Sequence, residues 1–335
     1  MYPHTILPYL HIPTEWQALR YAILSDGSLA VVATDVDLAT EWARIFASHA
    51  SDRPVDPPSR INQLTDSGRA QLLTWDAGRW QDGPVFPLET PHPLIDRFAD
   101  GSWLVVGARA LGESNARVLT PQGALQARFM LGDGIEHVAI DDADRIWVGW
   151  FDEGIFGEGW SVPGMEWPPS SNGIACFAPD GSLVDLPSLP KEAGFIADCY
   201  ALAPAGSGVW ASPYTDFPLV RFVPGMPTRW WRSELDGPKA IAVDGTHALV
   251  AGGYRNDATR LALVQLEGPG NGEEAMLLAT WSMPLRSAPP AQNDWAPAWE
   301  RPALLAGRGD TLHLLDDGMW HQWRVADAVA ALGHM

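Results

Sequence analysis

Short apolar segments alternate along this chain with tight polar turns. Six stretches share one pattern: an apolar run, a turn carrying Gly or Asp, then a second apolar run often bearing Trp. They read YAILSDGSLAVVATD from Tyr21, DRFADGSWLVVGARA from Asp96, HVAIDDADRIWVGWFDEG from His137, CYALAPAGSGVWASPYTD from Cys199, KAIAVDGTHALVAGGYRND from Lys239 and ALLAGRGDTLHLLDDG from Ala303. Asp-Gly and Gly-Ser accept the positive φ of a tight turn and β-branched residues flank them, so each stretch predicts a β-hairpin. Their starts lie roughly 40 to 75 residues apart, the interval of propeller blades once loop insertions are allowed.

A second hairpin is predicted between copies, as in Asn62–Trp75, Arg117–Leu131, Ile174–Pro187 and Leu219–Trp231. Two hairpins in series make a four-stranded antiparallel sheet, and six such sheets around an axis make an all-β, six-bladed β-propeller with only short, protected edges. The blades fall at about 18–78, 92–134, 135–190, 196–235, 237–284 and 301–325 of a single domain. The last copy has three strands, Ala303–Ala306, Thr311–Leu315 and Met319–Trp323, followed by a short helix at Ala326–Leu332; a strand within Thr5–Ile12 is expected to supply the fourth. In the first blade the β pattern breaks: Leu38, Trp42, Ile45, Phe46 and His49 recur at helical spacing behind an Asp37 N-cap. The Pro-rich Ser51–Arg60 that follows is expected to be an ordered loop. Gly154–Asn172 and Arg286–Arg301 are further insertions.

Composition narrows the function. The 335 residues carry a net charge of −19, with 22 basic against 41 acidic side chains, which disfavours nucleic acid and anionic membrane surfaces as partners. No apolar run approaches the roughly 20 residues of a membrane span, and no secretory signal is visible, so a cytoplasmic protein is expected. The 2 cysteines, Cys176 and Cys199, form no metal-binding spacing and read as buried thiols, with one disulfide between them as the alternative. The 17 tryptophans divide by position. Trp75, Trp103, Trp147 and Trp210 sit in strands and should pack between blades, whereas Trp42, Trp160, Trp167, Trp295 and Trp299 sit in insertions, where they would either stack on a planar ligand or clamp their own loops.

If the hairpin turns such as Ser25–Ser28 lie on one face of the disc, the insertions and the connection Gly78–Pro93 converge on the other. A rigid scaffold presenting long loops on one face places function there. The candidate ligand-binding residues on that face are Glu136, His137, Trp150, Asp152, Glu153, Asp198, Tyr214, Asp216, Lys239, Tyr254, Arg255 and Asp257. Hard divalent cations favour several oxygen ligands, and Glu136, Asp152, Asp198 and Asp257 form a candidate set for Ca2+ or another divalent ion. The structural alternative is that these carboxylates cap turns and keep the rim solvated. His137 is the histidine beside an acid at a channel position, where a hydrogen-bonded structural role competes with that of a general base. No GxSxG elbow, HExxH, Walker loop or dinucleotide fingerprint is present, and Gly149–Trp160 lacks the ligand spacing of a calcium loop.

Segments such as GIEHVAIDDADRIWVGW and GPKAIAVDGTHALVAGG resemble the repeats of bacterial six-bladed propellers of the NHL and gluconolactonase-like superfamily. That resemblance implies a group containing calcium-dependent lactonases, lyases and non-enzymatic scaffolds. Its lactonases hold an axial calcium with Glu, Asn and Asp; Glu136, Asp198 and Asp257 would be the acidic counterparts here, with no channel asparagine beside them. Two functions are therefore expected to compete. One is a scaffold recognising a small molecule or protein on its loop-rich face; the other is a divalent-metal-dependent hydrolase, lactonase or lyase acting at the central channel.

Overall fold

A computed structural model describes residues 4–9, 11–13, 15–49, 57–110, 114–157, 160, 162, 164–284 and 303–333. The chain begins with β1 (Thr5–Pro8) and then forms an antiparallel meander of β2 (Gln17–Ile23), β3 (Leu29–Thr34), β4 (Arg69–Asp76) and β5 (Arg79–Pro87). The same meander recurs in β6 (Pro93–Arg97), β7 (Trp103–Gly107), β8 (Ala116–Leu119) and β9 (Leu125–Phe129), and in β10 (Ile135–Ile140), β11 (Ile146–Trp150), β12 (Ile174–Phe177) and β13 (Leu183–Asp185). It continues in β14 (Asp198–Pro204), β15 (Val209–Tyr214), β16 (Leu219–Phe222) and β17 (Arg229–Arg232), then in β18 (Ala240–Val243), β19 (His247–Ala251), β20 (Arg260–Leu266) and β21 (Asn271–Ser282). The final strands are β22 (Ala303–Arg308), β23 (Thr311–Asp316) and β24 (Met319–Arg324), and β1 pairs antiparallel with β24 to give this sheet its fourth strand.

The result is an all-β propeller built mostly of four-stranded antiparallel sheets. The expectation of six separate sheets needs one correction. Among the described residues there are four four-stranded sheets and one of eight, because β17 and β21 pair in parallel along their outer edges. Gly270 and Gly272 make that approach feasible: a Cβ on either would lie 2.6–2.7 Å from the rings of Trp231 and Trp230. The first strands β2, β6, β10, β14, β18 and β22 contact one another in a closed cycle around the axis. Apolar side chains fill the spaces between successive sheets. Trp147 and Trp150, both wholly buried, belong to the cluster joining β6–β9, β10–β13 and β14–β17, while Ile23 and Leu29 meet Leu315 and Trp320 where the ring closes. Burial is thus distributed over sheet-to-sheet seams, as in other repeat architectures. Trp103 and Trp210 pack in these seams as expected, and Cys176 and Cys199 are buried free thiols.

The axis is pinned by one buried carboxylate. Asp96, with no exposed surface, accepts hydrogen bonds at Oδ1 from the Ser25 and Arg97 amides (both 2.8 Å) and at Oδ2 from the Ile140 amide (2.7 Å). Arg308 from β22 reaches the same Oδ2 at 2.5 Å and also donates to the carbonyls of Ile23 (2.9 Å) and Ile140 (3.2 Å). One ion pair therefore ties β22 to the first strands of three other meanders.

The Asn62–Trp75 hairpin is also corrected. After α1 (Leu38–His49), whose amide at Thr40 is capped by Asp37 at 3.0 Å, the chain forms α2 (Pro57–Ser67) and only then enters β4. Pro57 and Pro58 supply the φ of a first helical turn, and Ile61, Leu64 and Thr65 bury one helical stripe. Asp66–Gly68 therefore ends a helix instead of turning a hairpin, and Gly78–Pro93 holds β5 and not a long loop. Arg286–Arg301, with Trp295 and Trp299, lies outside the described residues, as does most of Ser51–Arg60.

Candidate functional site: the loop-face mouth of the axis

Connections between second and third strands, and between one meander and the next, share a face. It carries α1 and α2, α3 (Asp152–Phe156) with the 3-10 turn Pro169–Asn172, and the segments after β15 and β19. Tight turns occupy the opposite face. At the loop face three first strands carry a β-bulge: between Ala18 and Arg20 in β2, Ile135 and His137 in β10, and Cys199 and Ala201 in β14. The extra residues are Leu19, Glu136 and Tyr200. A bulge takes a residue out of the ladder and re-aims its side chain, and bulges concentrate beside functional sites.

Around these bulges the polar groups interact. Burial, aided by the Glu136 and Asp152 carboxylates and opposed by Lys239, pushes the Asp198 carboxyl up to about 7. A carboxyl titrating near neutrality can donate or accept a proton. The His137 ring is held neutral mainly by burial, with Glu136 opposing and Arg20 and Lys239 assisting. Its Nε2 is buried without a hydrogen-bond partner, although the ring interacts with the Tyr200 backbone. Burial and the Arg109 and Arg20 guanidiniums push His92 down to about 4. The Lys239 ammonium lies 4.1 Å from the centre of the Tyr200 ring, in a cation–π contact. Tyr254 donates to the Tyr200 hydroxyl at 2.7 Å. Tyr200, Tyr214, Phe217 and Tyr254 form one aromatic wall, with ring centres 5.0–6.1 Å apart in the contacting pairs.

The structure therefore gathers Glu136, His137, Asp198 and Lys239 with Asp152 at the edge, and Tyr214 and Tyr254 in the adjoining wall. The other candidates part company. Trp150 is wholly buried and donates through Nε1 to the Leu131 carbonyl at 3.1 Å, so it belongs to a seam. Glu153 pairs with Arg109 at 2.7 Å, and Asp257 with Arg260 at 3.1 Å. Asp216 and Arg255 are exposed on the rim. The proposed cation ligands do not converge: among the described residues no group of three or more His, Cys, Asp or Glu side chains is arranged to hold a metal ion. Of the insertion tryptophans, Trp160 clamps its own loop through Ser170 (Nε1 to Oγ 3.1 Å), Trp42 packs against His92, and Trp167 is exposed. Sequence reasoning missed Tyr200 and Arg20. Tyr200 lies two residues beyond Asp198 on one strand, a spacing that could have found it; nothing local announced the bulge that brings in Arg20.

A cavity of about 400 Å³ opens on the opposite, tight-turn face, lined by Ser25, Asp26, Ile140, Arg308 and His313 among others. Three of its polar groups are committed to the fold: Arg308 to Asp96, Asp26 to Arg97, and His313 Nδ1 to Trp320 Nε1 at 3.2 Å. At the loop-face mouth, by contrast, the buried His137 Nε2 has no hydrogen-bond partner.

No protein-family model matches the chain, and no curated protein matches it in sequence. Solved propellers match it in shape. The WD40 repeats of RRP9 align over 96% of this chain and 82% of their own at 11% identity, with a TM-score of 0.51. Virginiamycin B lyase of Staphylococcus aureus, in a catalytically inactive form with quinupristin, aligns over 96% and 99% at 10% identity and a TM-score of 0.48. A gluconolactonase-like protein aligns over 78% and 86% at 14% identity and a TM-score of 0.39. The likeness to the RRP9 repeats supports the fold class, a β-propeller, and at such an identity says nothing of the chemistry. Enzymes and binding modules share this scaffold.

Proposed function

We propose that the eight-stranded sheet counts as two blades, making this a six-bladed propeller whose loop-face mouth binds a small, hydroxyl-rich molecule. The blade count is supported by the parallel β17–β21 joint, which links two otherwise complete antiparallel meanders, and by the closed cycle of first strands. The observation that carries the binding reading is the set of bulges in β2, β10 and β14, two of which bring Glu136 and Tyr200 to Asp198, Lys239 and the unsatisfied His137. A cluster with carboxylate acceptors, an ammonium donor and an aromatic wall suits a ligand bearing hydroxyl or carbonyl oxygens and an apolar face. Thermal-shift measurements with a panel of sugars, sugar acids and lactones test it. A stabilising compound should lose its effect in Asp198→Asn and Lys239→Met and keep it in Asp26→Asn on the opposite face; equal loss in all three would overturn the assignment.

The second reading is enzymatic and rests on the Asp198 carboxyl near 7, suited to general acid–base work on the same ligand. Hydrolysis of lactones, followed by pH-stat with and without added Ca2+, separates binding from turnover. Turnover with a rate inflection near pH 7 that disappears in Asp198→Asn supports the enzyme; turnover that requires Ca2+ would instead demand that Glu136, Asp152 and Asp198 close around an ion.

A further inference from the structure

The exposed aromatic side chains among the described residues are Phe156, Trp167, Phe195, Tyr214 and Tyr254, and all five lie on the loop face. Large apolar residues exposed elsewhere, such as Leu125, Leu183, Met226 and Met276, are aliphatic or Met. The five sit on connections of that face from β11 to β20. Gly173 has Ile155 and Ile196 packed against it, which sets the residue after Ile155, Phe156, near the residue before Ile196, Phe195. The Ala197 amide donates to the Tyr214 carbonyl at 2.9 Å, and Tyr214 and Tyr254 both contact the Phe217 ring. Trp167 leads into the 3-10 turn that packs on α3. Exposed rings gathered on one face mark partner-binding surfaces.

Charge selects the partner. The described parts of these connections (151–173, 186–197, 215–218, 233–239 and 252–259) carry eight carboxylates against three basic side chains, Lys191, Lys239 and Arg255, and two of the carboxylates, Glu153 and Asp257, pair with Arg109 and Arg260 of adjoining segments, so the acidic excess is three. All five rings have an acid close in sequence: Asp152 and Glu153 before Phe156, Glu166 before Trp167, Glu192 before Phe195, Asp216 after Tyr214 and Asp257 after Tyr254. Rings beside carboxylates attract cations twice, through the ring quadrupole and through the charge. Lys239 over Tyr200, with Asp198 and Glu136 nearby, is an internal instance of that chemistry.

We propose that this rim docks an Arg- and Lys-rich polypeptide segment, steered to it by the −19 charge of the protein and held by its exposed rings. Tyr214 and Tyr254 are shared with the aromatic wall of the mouth, whereas Phe156, Trp167 and Phe195 are not among the mouth residues, so a test placed on the two phenylalanines fails separately from the small-ligand reading. Calorimetric titration with an oligo-arginine and an oligo-lysine peptide of equal length tests it. Arginine should bind more tightly, because its guanidinium stacks on rings as well as pairing with carboxylates. The charge-neutral double variant Phe156→Ala/Phe195→Ala should weaken oligo-arginine binding about tenfold, while Met226→Ala, exposed on the opposite face, leaves it unchanged. Both phenylalanines are largely exposed, and an unaltered circular dichroism spectrum confirms that the fold survives. Equal affinity in the double variant and the wild type would reduce the interaction to the general field of an acidic protein and overturn the proposal. So would loss, in that variant, of binding to a neutral oligosaccharide with peptide binding intact, since the rim would then be a carbohydrate platform.

Discussion

Asp96→Asn is the sharpest test of how the ring is held. The native carboxylate receives three backbone amides and the Arg308 guanidinium, and it has no exposed surface. Asparagine matches its shape but offers one acceptor oxygen. Its NH2 must therefore face either the Arg308 guanidinium or amides that already donate, leaving donors opposed and one buried charge poorly compensated. Removing one partner of such a pair costs about 3–5 kcal/mol, because the stranded charge dominates the loss. For 335 residues the unfolding entropy is about 0.7 kcal/mol per kelvin near 60 °C, so Tm should fall by about 4–7 °C. Differential scanning calorimetry measures this directly, and a cycle with Arg308→Met isolates the pair. The double variant should be more stable than the sum of the single losses implies, by about 2 kcal/mol, since neither charge is then left alone. A loss below about 1 kcal/mol in Asp96→Asn, or strict additivity in the cycle, would refute the idea that this contact pins the axis.

Other outcomes follow from the same geometry. Asp198 has a folded pKa of about 7 against an ordinary 3.8, so the folded state holds its proton more tightly. Its penalty is absent below about pH 4, grows between 4 and 7, and is constant above. Asp198→Asn should therefore match the wild type at pH 4 and exceed it at pH 8 by about 2 kcal/mol once lumen solvent is allowed for, read from urea unfolding at both values. Gly307→Ala would place a methyl 1.7 Å from the Ile241 carbonyl oxygen, a backbone atom that cannot swing away. A loss of at least about 3 kcal/mol is expected, and a Tm within a degree of wild type would contradict the packing of β22 on β18. Cys176 and Cys199, both buried with thiol pKa values raised by burial, should resist a thiol reagent in native protein and react only after unfolding.

Much of the scaffold was legible because its determinants are local. Asp26–Gly27, Asp100–Gly101 and Asp180–Gly181 mark turns by backbone chemistry, and strands on either side show the period of two. The exceptions arise where distant parts decide. Thr65, Asp66 and Gly68 look like a hairpin turn until the stripe of Ile61 and Leu64 meets the core beside β3 and β4, which makes α2 the better solution. The β17–β21 joint depends on glycines fitting under tryptophans some forty residues away, which no window of sequence displays. At the site, Glu136, His137, Asp198 and Lys239 could be placed from strand ends alone. Trp150 could not, because one residue of register separates a mouth position from a seam. Tyr200 and Arg20 enter through bulges, and Asp257 leaves through its pairing with Arg260.

Ligand chemistry is proposed at the bulged, loop-face mouth and not at the cavity beside the tight turns. Crystals soaked with a fragment set of polyols, sugar acids and lactones address it directly. Electron density is expected within hydrogen-bonding distance of Asp198, Lys239 or His137 Nε2. Density confined to the turn-face cavity around Arg308 and Asp26, with the mouth empty across the set, would contradict it.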